Sequence, residues 1–228
     1  MNKVILVIAA HPDDEVLGCG GTIAKHALQG DEVYCLILGE GVAARGESEA
    51  LREKEKEALK QNASKAAEIL GIKELMFRNF PDQRLDTIPL IIVIKSVEEV
   101  KQRIKPDIIY THHQGDLNID HQITFKAVLT ACRPVKNETV REIYSFEVPS
   151  STEWNSSDVQ NFFVPDVFVD ISETFNKKVD ALKAYKSELR EYPHPRSPEA
   201  LEIIARRWGV NVGRELVEAF RLLRWIKE

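Results

Sequence analysis

Residues 4–10 are all apolar, an unbroken run of Val, Ile, Leu and Ala that suits a strand covered on both faces, as in a parallel sheet. Beyond it the pattern changes period. Residues 20–29 read as a helix with Gly30 at its C-cap, residues 32–38 as a second strand, and residues 51–70 as a charged, Ala-rich helix closed by Gly71. Residues 74–77 predict a third strand and residues 78–86 a loop. Leu90, Ile94, Val97, Val100 and Ile104 recur at three- and four-residue spacing, which gives a third helix its core face, and Pro106 ends it. A strand over 107–111, a Gly-, Asp- and Asn-rich loop over 113–120 and a helix from about 121 to 132 follow. Strands near 142–146 and 166–169 and helices near 173–185, 198–208 and 213–225 complete the pattern.

Strand and helix in regular alternation predict an α/β fold with right-handed crossovers, a Rossmann-like three-layer sandwich with a mostly parallel sheet and C-terminal helices. In such sheets ligands bind beyond the carboxyl ends of the strands. The chemistry is therefore expected in the loops after Ala10, Leu38, Phe77 and Thr111. No repeat, low-complexity tract or linker divides the chain, so one domain over 1–228 is expected.

Composition narrows the partners. The 228 residues carry a net charge of −5, so there is no basic excess to neutralise nucleic-acid phosphates or to meet an anionic membrane. The early apolar run is far short of the roughly 20 residues of a membrane helix and lacks the cleavage site of a signal peptide. Cys19, Cys35 and Cys132 are odd in number and widely spaced, which supports neither a disulfide framework nor a Cys-x-x-Cys metal site. A reducing cytoplasm is the expected compartment. A homo-oligomer is left open.

His11-Pro12-Asp13-Asp14-Glu15 puts four ionisable residues at the tip of an apolar strand, where folding gains nothing obvious from them. Pro12 fixes a backbone angle, so His11 and Asp14 can aim at a common point with Asp13 beside it. Nitrogen and carboxylate donors suit zinc, and the second carboxylate can take a proton from bound water. The same residues also fit a loop in which Asp13 or Asp14 caps the next helix. A third ligand must come from another segment, and the loop after the fourth strand offers His121 with Asp120 alongside. Asp120 equally fits the N-cap of the helix that follows, and His112 a core histidine.

With Gly18, Gly20, Gly21 and Thr22 after it, the pattern from Ala10 to Glu15 resembles the PIG-L and LmbE-like family of zinc-dependent N-deacetylases, which includes the enzyme acting on N-acetylglucosaminyl-phosphatidylinositol. The resemblance implies His11, Asp14 and His121 as zinc ligands, Asp13 as general base, and an activity that removes an N-acetyl group from an amino sugar or its glycoconjugate with metal-bound water as nucleophile. Many members carry His-Pro-Asp-His where this chain has Asn118-Ile119-Asp120-His121, so Asn118 stands in as a hydrogen-bonding group. Asp120 is expected to hold the His121 ring by its other N–H. The flanking prolines hold His194 in an extended loop, and the resemblance gives it a role at the oxyanion. Asp82, Arg84 and Asp86 could bind sugar hydroxyls or form structural ion pairs. Arg45 and Arg52 could meet a substrate anion, although a solvated helix start explains Arg52 equally well.

Two other classes compete. A nucleotide or nucleotide-sugar binding protein would need a Gly-rich turn where the acidic cluster stands. A catalytically silent binding module would be expected to have lost some of His11, Asp13, Asp14 and His121.

Overall fold

Side chains alternate between the two faces of a strand, so an all-apolar strand must be covered twice. In the computed structural model, which describes residues 2–42, 49–155 and 159–227, β1 (Val4–Ala9) sends Ile5, Val7 and Ala9 into one hydrophobic core and Leu6 and Ile8 into another. The first core lies under α1 (Asp14–Leu28) and α2 (Glu49–Leu70), and the second under α3 (Leu90–Ile104) and α4 (Ile119–Ala131). α5 (Phe175–Ala184) and α6 (Pro198–Val212) join the first layer.

With β2 (Glu32–Gly39), β3 (Glu74–Phe80), β4 (Ile108–His112), β5 (Glu142–Phe146), β6 (Val167–Asp170) and β7 (Val217–Trp225), β1 forms a seven-stranded sheet of order β3-β2-β1-β4-β5-β7-β6. The five strands from β3 to β5 are parallel, and β7 runs antiparallel to both β5 and β6. The architecture is the three-layer α/β sandwich that the alternation predicts. From β1 the chain steps to β2 on one side, and β4 lies on the other, so the order reverses between β1 and β4 and opens a crevice at their carboxyl ends.

Several elements differ from expectation, among them β3, which continues to Phe80 into the segment expected as a loop over 78–86. The segment expected as a last helix over 213–225 is β7: Leu216, Phe220 and Leu223 have helical spacing, but four consecutive residues, Val217 to Phe220, are buried, as an interior strand requires. α1 begins at Asp14 rather than Gly20, so the acidic motif forms its first turn, where carboxylates suit the positive end of the helix dipole. α4 begins at Ile119, because the Asn118 side chain accepts the Asp120 backbone N–H at 2.9 Å and takes the cap position.

α1 is interrupted at Cys19, whose backbone leaves the helical region (φ −146°, ψ 24°). A buried ion pair repairs the break. Lys178 Nζ donates to Leu17 O at 2.9 Å and to Glu218 Oε1 at 2.6 Å, while Glu218 accepts the N–H groups of Gly21 at 2.9 Å and Thr22 at 2.7 Å. Lys178→Met leaves Glu218 buried without its cation. Breaking such a pair costs about 3–5 kcal/mol, so a drop of roughly 6–20 °C in melting temperature is expected. A shift below about 2 °C in a calorimetric scan would mean that the pair holds nothing together.

Candidate active site

The loop after β1 is fixed from three sides. Ala10 N–H donates to His112 Nε2 at 2.8 Å, and His11 N–H donates to Asp14 Oδ2 at 2.8 Å. Asp13 sits at φ 105°, a left-handed conformation that a residue other than glycine adopts only when its surroundings enforce it. Its N–H donates to Glu15 Oε2 at 3.1 Å, and Glu15 Oε1 accepts the Tyr185 hydroxyl at 2.5 Å. Gly39, at the end of β2, makes room for the motif: a Cβ there would lie 2.9 Å from Ala10 O and 3.2 Å from His11 Cδ2.

The loop after β4 brings the second half. His121 Nε2 lies 3.2 Å from Asp14 Oδ2, and His11 Nδ1 lies 3.3 Å from the same oxygen. His11, Asp14 and His121, all buried, thus offer one ligand atom each within 4.8 Å of one another. Behind them the carboxylates are distributed differently from expectation. Asp120 Oδ2 stands 3.0 Å from His11 Nε2, and Asp116 Oδ1 stands 3.1 Å from His121 Nδ1. Asp120 therefore orients His11 rather than His121, because the Asn118 cap turns it towards β1. Asp116 faces His121 instead and is tied by the Ser151 hydroxyl, by Thr152 Oγ1 at 2.5 Å and by the Asn118 N–H at 2.8 Å. His112 stacks on His121 with ring centroids 4.0 Å apart and is fully buried, a packing and backbone-bonding role.

The donor set suits a cation. Asp14 Oδ1 and His121 Nε2 are buried and make no hydrogen bond. Burial works against charge on His11, yet its contacts with Asp120 and Asp14 raise its pKa to about 10. Burial likewise opposes charge on His121, which Asp14 and Asp116 raise to about 9. The carboxylate field at this point selects positive charge, which an ion supplies as well as protons do. Burial lowers His112 to about 3, with the neighbouring His121 charge adding to it. For Asp13 burial is again the largest influence and holds its carboxyl well above the usual range, against the pull of Arg196.

Of these groups His11 and Asp13 reach a cleft of about 690 Å³ that is also lined by Asp82, Asn118, Glu188 and Arg196, among others. Asp82 Oδ1 approaches His11 Nε2 at 3.3 Å. Arg84 and Asp86 are exposed beyond the cleft, and Asp86 borders a separate groove with Lys126. Arg52 is paired with the buried Glu40, so a structural ion pair takes the place of the expected anion contact. Arg45 lies outside the described residues. His194 does not line the cleft: its Nδ1 accepts the Arg196 N–H at 3.1 Å, and its ring packs edge-on against Trp154. Arg196, two residues on, reaches the site and donates to Asp13 Oδ2 at 3.0 Å. Sequence reading missed Arg196, Asp116 and Tyr185. The prolines around His194 drew attention to the right segment, but nothing local distinguishes the arginine.

Comparison with known proteins supplies the family. Residues 6–132 match PIG-L, described as GlcNAc-PI de-N-acetylase. The chain belongs to the PIG-L family. Among similar proteins, it is 30% identical over 192 residues to the probable N-acetyl-α-D-glucosaminyl L-malate deacetylase 2 of Bacillus cereus, covering 82% of this chain and 84% of the relative. It is also 32% identical over 215 residues to the 4-oxalmesaconate hydratase of Pseudomonas putida, covering 83% and 76%. The N,N'-diacetylchitobiose deacetylase of Pyrococcus horikoshii has the same fold, with a TM-score of 0.79 at 21% identity over 97% of this chain and 84% of that one. The PIG-L match contains all three candidate ligands and Asp13, while Tyr185, Glu188 and Arg196 lie beyond it.

Proposed function

We propose that this protein is a zinc-dependent hydrolase that removes the acetyl group from an N-acetylated amino sugar or its glycoconjugate. The observation that carries the reading is the buried set His11, Asp14 and His121, with the Asp13 carboxylate beside it on the floor of an open cleft. In this reading those three residues hold the zinc, which supplies Lewis acidity to the amide carbonyl and lowers the pKa of water. Asp13 accepts the water proton as the oxygen attacks the carbonyl carbon, and returns it to the nitrogen as the C–N bond breaks, giving acetate and a free amine. Asp120 and Asp116 keep His11 and His121 in place from behind. The three cysteines are buried free thiols, which suits the cytoplasm proposed for it.

Asn118 serves as the oxyanion donor in place of His194. Its Oδ1 is committed to the α4 cap, which leaves its NH₂ group for the cleft. Asp caps a helix as well as Asn does but lacks the donor, so Asn118→Asp is expected to keep stability and metal while kcat falls about 10²–10³-fold. An unchanged kcat would move the donor elsewhere. Asp82 is left to contact the substrate from the cleft wall.

A panel of N-acetyl sugars, assayed for released acetate with the metal-loaded protein, tests the activity. The hydratase relative carries a second reading, addition of water across a carbon–carbon double bond of an unsaturated acid. Loss of substrate absorbance with no acetate released from any acetamido compound would favour it.

A further inference from the structure

The connection between α5 and α6 reaches back to the active site twice. At its start, Tyr185 bonds Glu15, which in turn accepts the Asp13 N–H. At its end, Arg196 Nη1 donates to Asp13 Oδ2 at 3.0 Å. Asp13 is thus tied by its backbone through one end of the segment and by its side chain through the other. A left-handed aspartate persists only where its surroundings over-determine it, and these two ties do so.

We propose that Arg196 is a positioning residue for the reaction: it pins the Asp13 carboxylate by Oδ2 and leaves Oδ1 as the atom that exchanges the proton. The guanidinium is itself immobilised. Its Nε donates to Ser150 Oγ at 2.8 Å and Nη1 is shared with Glu188 Oε2 at 3.0 Å, while the Arg196 backbone N–H donates to His194 Nδ1 at 3.1 Å. A lysine would carry the charge but could not bond Ser150 and Asp13 from one rigid plane. Oδ1 of Asp13 makes no hydrogen bond among the described residues, as the proton-accepting oxygen should not. His194 acquires a place in the same device, holding the backbone of Arg196 rather than the substrate.

The inference rests on the deacetylase reading for its kinetic test but not for its structural one. Crystals of zinc-loaded Arg196→Ala should show the Asp13 carboxylate rotated or split between positions, and an unmoved carboxylate would overturn the proposal whatever the reaction is. With a substrate that the wild type deacetylates, Arg196→Ala should lose about 10²-fold in kcat, the scale of a misplaced catalytic group. KM and zinc content should change little. Arg196→Lys should recover part of the loss, and guanidinium ion added to Arg196→Ala should recover more than added ammonium. A lower melting temperature with kcat per folded molecule unchanged would reduce Arg196 to a structural ion pair. Absence of acetate release by the wild type would count against the deacetylase reading alone.

Discussion

Asp13→Asn is expected to retain its zinc and lose about 10²–10⁴-fold in turnover, the usual contribution of a general base. Asn has nearly the same shape and can still accept the Arg196 hydrogen bond through its carbonyl oxygen, so the cleft should stay assembled. What disappears is the atom that takes a proton. Near-normal turnover in the zinc-replete variant would assign the base to another group, for which Asp82, 3.3 Å from His11, is the nearest alternative in the cleft. Metal analysis must accompany the kinetics, since Asp13 lies beside a proposed ligand.

His121→Ala has the second large effect, and acts on the metal itself. The wild type should carry about one zinc per chain, because the two groups of three donors among the described residues, His11, Asp14 and His121, and His11, Asp82 and Asp120, share His11, and three protein ligands make a catalytic site. Removing His121 leaves His11 and Asp14, too few for a site of that kind, so zinc content measured after gel filtration should fall well below stoichiometric. Turnover should drop by roughly 10³-fold or more, the several kcal/mol that a Lewis acid contributes to the transition state. Stability should fall too: Asp116 would remain a buried carboxylate without its histidine, and Asp14 would keep His11 but lose one of the rings that face it. Full zinc occupancy in this variant would remove His121 from the ligand set.

Local and distant information divide cleanly in this molecule. His11, Asp13 and Asp14 could be read because four ionisable residues stand together at the tip of an apolar strand, more than a helix start needs, and strand order brings His121 to them. Which aspartate serves which histidine could not be read. That choice depends on where α4 starts, and a single side-chain cap by Asn118 shifts the start by two residues from the expected His121. β7 was hidden for a related reason. Glu218 reads as the polar face of an amphipathic helix, whereas in the fold it is buried at the break in α1, 196 residues away in sequence. Arg196 meets Asp13 across 183 residues, and no local pattern marks such a partner.

The position of β7 also has a consequence for the order in which a growing polypeptide assembles. β7 is inserted between β5 and β6, so β6 has no sheet neighbour until residues 217–225 have been made. At roughly 5–20 residues per second, the interval between β6 and β7 lasts a few seconds on the ribosome. During that time the five parallel strands can already pair and gather His11, Asp14 and His121, while Lys178 waits for Glu218. The nascent chain thus collects its proposed zinc ligands first, and the segment carrying Arg196 docks on Asp13 only late in synthesis.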